Sequence, residues 1–125
     1  MIQKVPSIKK GNWLQGHNGW RYQYRDGTYP ADCWVQLMWN GRIDWYRFDS
    51  RGYMRTGWFQ DGDGSWYFLH QTADGTRGAM YTGWRQIGGV WYYFRRESEG
   101  TAGALLVNGI TPDGFRVDGN GAWIP

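Results

Sequence analysis

Apolar positions in this chain fall in short alternating runs, not in long stretches or helical stripes. "WYRF" (Trp45 to Phe48), "WYF" (Trp66 to Phe68) and "WYYF" (Trp91 to Phe94) are rich in strand-favouring aromatics. Asn40-Gly41, Asp63-Gly64 and Gly88-Gly89 sit between paired runs of this kind. Such dipeptides supply the positive φ values that tight hairpin turns need. No segment sustains a helical apolar period. The pattern predicts β-hairpins, each followed by a connecting turn punctuated by Asp26-Gly27, Gly52 or Asp74-Gly75. "QTADGTRGAM" and "RRESEGTAGAL" read as longer versions of that turn.

The hairpins repeat. "GYMRTGWFQDGDGSWYF" (Gly52 to Phe68) returns as "GAMYTGWRQIGGVWYYF" (Gly78 to Phe94). Weaker copies flank them: "CWVQLMWNGRIDWYRFDSRGYM", "NWLQGHNGWRYQYRDGTYP" and, at the end, "GITPDGFRVDGNGAW". One hairpin is marginal alone in water, and stacking buries its aromatic face against the next. The expectation is an all-β chain, a β-hairpin solenoid of about five short repeats with an atypical last unit as cap. The units are placed at residues 11–32, 33–56, 57–82, 83–108 and 109–125, after an N-terminal extension of residues 1–10.

Composition sharpens this. Among 125 residues are ten Trp, nine Tyr and 20 Gly, while branched aliphatics are scarce, so a conventional aliphatic core is a poor fit. Disorder is equally poor, because disordered chains lack aromatics. The net charge of +3 is mild and its basic residues are scattered, unlike a nucleic-acid footprint. The single cysteine, Cys33, makes an internal disulfide or thiolate metal site impossible and reads as a small packing residue. No membrane-spanning run is present, and "MIQKVPSIKKGNW" lacks the apolar stretch of a signal peptide. That leaves another export route, or a piece of a larger secreted protein.

Strand alternation sorts the rings into two sets. Trp91 and Tyr93 point to one face, Tyr92 and Phe94 to the other; Trp66 and Phe68 share a face opposite Tyr67. Two indoles and a ring from the adjacent unit can enclose a shallow space with a methionine near its floor. Electron-rich walls suit a quaternary ammonium through cation–π attraction, or a sugar ring stacking its C–H face. The same rings could also be packing alone.

Catalytic chemistry finds no purchase. His17 and His70 are isolated, the serines lack a nucleophile-elbow context, and Glu97 with Glu99 sits on one loop without fixed spacing. Asp61, Asp63 and Gly64 start like a calcium loop, but the sixth and twelfth positions hold Trp66 and Thr72. The expectation is a protein that is not an enzyme and uses neither cofactor nor metal.

The two clear copies closely resemble the choline-binding, or cell-wall-binding, repeats of Gram-positive surface proteins and of bacterial and phage lytic enzymes. The match is specific over residues 33–94 and looser elsewhere. The resemblance implies a left-handed solenoid with roughly three hairpins per turn and choline sites between successive hairpins. Each site takes the tryptophan of G-W and the first of W-Y-Y, then the third aromatic of the next W-Y-Y and a methionine. Carried over, one site is Trp58, Trp66, Met80 and Tyr93, and a second is Trp34, Trp45, Met54 and Phe68. A third uses Trp84 and Trp91 with Leu105, its closing position held by Val117. The first hairpin, Trp13 and Trp20, meets Arg47 at that position, a cation expected to repel choline. The implied role is a non-catalytic module at the bacterial cell surface, binding choline or choline-bearing teichoic acid without nucleic-acid or membrane insertion. The alternatives are a module for glucan or another cell-wall polysaccharide, and an interaction solenoid with no small ligand.

Overall fold

The computed structural model describes residues 8–125. Most of the extension expected at residues 1–10 therefore lies outside the described residues. The chain is all-β, built from short antiparallel hairpins of the β-hairpin solenoid class. Four hairpins follow in order: β1 (Gly11–Gly16) with β2 (Gly19–Tyr24), β3 (Cys33–Trp39) with β4 (Arg42–Phe48), β5 (Gly57–Gln60) with β6 (Trp66–Leu69), and β7 (Gly83–Ile87) with β8 (Val90–Phe94). A three-stranded cap, β9 (Gly109–Ile110), β10 (Arg116–Val117) and β11 (Trp123–Ile124), ends the chain. The turn dipeptides act as anticipated. Asn40 and Gly41 have φ of 51° and 75°, Gly88 and Gly89 of 58° and 82°, matching a two-residue hairpin turn with both centres left-handed.

The chain divides into two compact units: the described part of Met1–Thr56 with Gln71–Ala79, and Gly57–His70 with Met80–Pro125. The first holds the β1–β2 and β3–β4 hairpins. Its core is Tyr22, Leu37, Tyr46 and Phe48, with Trp13 and Trp39 packed against it. The second holds β5 to β11, with Phe68, Phe94 and Leu105 at its core and Tyr81 and Tyr92 alongside. In both, rings do the work that branched aliphatics do elsewhere.

The connecting turns carry more structure than the sequence pattern predicts. Met54, Met80 and Leu105 each form an isolated bridge to their own hairpin, at Phe48, Leu69 and Phe94. In the first unit, Met54 N–H also donates to Trp20 O (2.8 Å), while Arg55 N–H donates to Arg47 O (2.8 Å). The second unit repeats the device: Leu105 N–H reaches Trp66 O (2.8 Å) and Leu106 N–H reaches Tyr93 O (2.9 Å). The return segments after β4 and β8 thus each stitch a hairpin to the one before it.

The G-x-M phrase has a packing explanation. A methyl group built on Gly78 would land on the Met54 side chain, one on Gly103 on Met80, and one on Gly121 on Leu105. All three glycines also have φ between 81° and 87°, where a side chain is strained. The glycine of one copy therefore receives the methionine, or leucine, of the previous copy.

Candidate ligand-binding site

The strand registers fix which rings can meet. Across β5–β6, Trp58 pairs with Phe68 and Gln60 with Trp66; across β7–β8, Trp84 pairs with Tyr93 and Gln86 with Trp91. The G-W tryptophan, the first ring of W-Y-Y and its third position therefore share one face of a hairpin. The second and fourth positions occupy the other face.

In the second unit, Trp58, Trp66 and Tyr92 line a cleft of about 440 Å³ together with Leu105, Val107, Gly119 and Asn120. Trp58 stands edge-to-face with Trp66 (ring centroids 6.3 Å apart, planes at 82°) and with Tyr92 (5.1 Å, 78°). Trp66 is 41% exposed, so its ring remains open to a ligand. Among the described residues no charged side chain lines this cleft. The rings are perpendicular walls, the arrangement that lets several π-faces converge on one cation.

The ring of the next hairpin that lines this cleft is Tyr92; the expected residue, Tyr93, is not in its lining. Tyr93 shares a face with its own Trp84, edge-on at 5.3 Å, and is only 4% exposed. Its hydroxyl donates to both carboxylate oxygens of Glu99, at 2.7 and 2.9 Å. The reason is parity: Trp91 and Tyr93 share the face of Trp84, and positions two and four, Tyr92 and Phe94, take the other. Met80 likewise packs onto Gly103, while Leu105 lines the cleft.

The residues of the second expected site divide between the two units, Trp34, Trp45 and Met54 in the first and Phe68 in the second. Trp34 pairs with Arg47 and Gln36 with Trp45, so Trp34, Trp45 and Arg47 share one face of β3–β4. The arginine expected to close the first seam thus sits on the same face as these two indoles, its guanidinium 2.8 Å from Asp32. Met54 packs against the first unit's core. Phe68 is 3% exposed within the second unit, edge-on to Trp58 (5.2 Å) and beside Tyr81 (4.9 Å).

The third expected site closes differently from the proposal of Leu105 and Val117. Val117 is buried in β10. Trp84 and Trp91 instead line a cleft of about 320 Å³ with Asp113, Phe115 and Trp123. Trp84 lies edge-on to Phe115 at 6.0 Å, and Phe115 to Trp123 at 6.4 Å. The G-A-W at the end of the cap is the sequence signal for Trp123.

The first unit shows the same seam filled. Trp13 meets Tyr46 at 5.0 Å and Phe48 at 6.1 Å, matching Trp58 with Tyr92 (5.1 Å) and Phe94 (5.9 Å). Between Trp13 and Trp20, however, lies a further indole, Trp39. It stacks on Trp13 at 4.5 Å and tilts against Trp20 at 4.9 Å, while Trp13 Nε1–H donates to Met38 O (2.9 Å). Positions 35, 37 and 39 share a face of β3, and β3 has seven residues where β7 has five. The longer strand adds one more inward position, and Trp39 takes it.

Groups considered for other chemistry have local duties. Asp63 Oδ1 accepts from Ser65 N–H within the β5–β6 turn (2.9 Å), and His70 Nδ1 lies 2.6 Å from the Tyr81 hydroxyl. Among the described residues no group of three or more His, Cys, Asp or Glu is placed to hold a metal ion, and no helix is long and apolar enough to cross a membrane.

Comparison with known proteins agrees with this geometry. The family described as "Putative cell wall binding repeat" matches residues 56–70 and 82–97. No curated protein sequence matches the chain. Among solved structures, the choline binding domain of Spr1274 in Streptococcus pneumoniae is 38% identical, with a TM-score of 0.52 over 72% of this chain and 93% of that one. The cell wall endolysin from phage Cp-1 complexed with choline is 31% identical, with a TM-score of 0.64 over 89% of this chain. Choline binding protein F from Streptococcus pneumoniae is 30% identical, with a TM-score of 0.56 over 93% of this chain. The chain spans 28% of the endolysin's length and 48% of choline binding protein F. At 38% identity over 93% of a choline binding domain, and with its own repeats matched by the family model, the chain belongs to the choline-binding, or cell-wall-binding, repeat family.

Proposed function

We propose that the chain is a non-catalytic targeting module that attaches to a bacterial cell-wall polymer by holding choline, displayed on teichoic acid, in aromatic cages between successive hairpins. The observation that carries this is the Trp58, Trp66 and Tyr92 cleft: three rings at cation–π range, open to solvent and lined without charge. A trimethylammonium group donates no hydrogen bond and gains from ring faces and methyl burial, at roughly 0.5–2 kcal/mol per ring. Support comes from the endolysin complexed with choline. Two clefts on one unit favour a polymer that displays many ligands, through avidity. Any catalysis belongs to another domain or a partner, and the module acts at the cell surface. A glucan is the second reading, favoured by indoles such as Trp66 and Trp91, each 41% exposed, on which a sugar ring can lie.

The test is retention on immobilised choline-bearing teichoic acid, on the same polymer stripped of choline, and on dextran. Retention by the first alone, released by millimolar free choline, is expected. Retention by dextran alone would replace choline with glucan, and retention by none would overturn both.

A further inference from the structure

The two clefts of the second unit are chemically unequal. The Trp58 cleft has no charged lining, whereas the Trp84 cleft carries the Asp113 carboxylate. Aspartates are common in this chain's turns, and most serve their own turn. Asp49 accepts from Arg51 N–H and Tyr53 N–H, Asp118 from Asn120 N–H and Ala122 N–H, and Asp74 from Thr76. Asp113 differs. Its Oδ1 accepts from the Thr111 hydroxyl (2.5 Å), but its Oδ2 reaches out of the turn to the indole N–H of Trp84, 3.0 Å away and 29 residues earlier. The carboxylate is thereby held against the wall of an aromatic cleft.

We propose that the cleft formed by Trp84, Trp91, Phe115 and Trp123 with Asp113 is a charge-assisted ammonium site, able to hold amines that keep an N–H as well as quaternary ones. It rests on the reading that these clefts receive ammonium groups and adds which ones. A carboxylate has about four lone-pair positions, and the two bonds above leave acceptor capacity facing the cleft. The rings supply cation–π attraction to any ammonium, and the carboxylate supplies what a bare aromatic cage lacks, an acceptor for an N–H. The Thr111 hydroxyl foremost, then the Trp84 indole and the Arg96 charge, hold the Asp113 carboxyl below the usual carboxylate range. The Trp58 cleft offers an N–H only the neutral Asn120 amide, a weaker acceptor for an ammonium than a carboxylate, so that cleft discriminates against such amines.

The test uses the full chain with tryptophan fluorescence as readout. In Trp66→Ala only the Trp84 cleft responds; in Trp91→Ala only the Trp58 cleft does. The probes are choline, protonated dimethylethanolamine and the neutral isostere 3,3-dimethylbutan-1-ol. The Trp84 cleft is expected to bind both amines within about 3-fold of one another and the neutral alcohol about 10-fold more weakly. The Trp58 cleft is expected to prefer choline to dimethylethanolamine by about 10-fold. Asp113→Asn removes the charge and keeps one oxygen, for the Trp84 indole, while its amide N–H can donate to the Thr111 hydroxyl; it should weaken both amines about 10-fold at its own cleft and leave the Trp58 cleft unchanged, which also reports that the variant is folded. Should either single-cleft variant fail to fold, the indole N–H resonances of Trp84 and Trp58 in the otherwise unaltered chain report the same affinities. Unchanged amine affinity in Asp113→Asn, with the Trp58 cleft still responding to choline, overturns this inference alone. Silence of both clefts toward every amine overturns the choline reading as well.

Discussion

The seam between the β1–β2 and β3–β4 hairpins and the seam between β5–β6 and β7–β8 are built from the same parts. Each joins the G-W tryptophan and the first W-Y tryptophan of one hairpin to the second and fourth aromatics of the next. The ring distances agree to a few tenths of an ångström, 5.0 against 5.1 Å and 6.1 against 5.9 Å. Yet one is core and the other is a cleft. The difference is two residues of strand length, which give β3 a further inward position and fill the seam with Trp39. An aromatic cage is a packing defect that is kept; extending the neighbouring hairpin abolishes it.

The largest effect follows from emptying the filled seam. Trp39→Ala removes an indole stacked between two others and should cost about 3–5 kcal/mol of stability, the range for Trp→Ala in cores. Choline should then restore part of the loss, since a ligand that binds only the folded state stabilises it. Thermal denaturation with and without choline checks both, and a choline-induced rise in Tm no larger than in the unaltered protein would break the comparison.

Next comes alkaline pH. Burial first, then the Asp44 charge, pushes the Tyr46 phenol at this seam up to about 12. A raised folded-state value means the stabilisation is complete below the ordinary value near 10 and lost as pH climbs through about 12. About 2–3 kcal/mol should disappear over that window, visible by urea denaturation at stepped pH, and Tyr46→Phe should flatten the profile.

A smaller effect separates Tyr92 from Tyr93. Tyr92→Ala removes a wall of the Trp58 cleft and should weaken choline there about 10-fold. Tyr93→Ala should leave that affinity within about 2-fold while lowering stability, because its ring packs on Trp84 and its hydroxyl on Glu99. Isothermal titration of both variants decides which ring closes the cage. Smallest of all is the folding cost of Trp66→Ala. As a 41% exposed wall, it should cost under about 1 kcal/mol while silencing its cleft, the opposite balance to Trp39→Ala.

Much of this was legible from residues alone. Hairpin turns at Asn40-Gly41 and Gly88-Gly89, the aromatic strands and the pairing of Trp58 with Trp66 follow from turn chemistry, alternation and repeat spacing. Tyr92 was also within reach: alternation puts Tyr93 on the face of Trp91, so Tyr93 cannot face the hairpin before. Trp39 was harder, because the long "VQLMWNGRID" stretch shows an extra ring but not whether it turns into the seam. Asp113 lay beyond reading, since its meeting with Trp84 depends on how the cap folds back.

The most direct measurement follows the ten tryptophan indole N–H resonances while choline is added. The account predicts that Trp58 and Trp66 shift in a saturable way, with Trp84 and Trp91 shifting as a second set, while Trp13, Trp20 and Trp39 stay still. Movement of the Trp13, Trp20 and Trp39 set with Trp58 and Trp66 unmoved would contradict it.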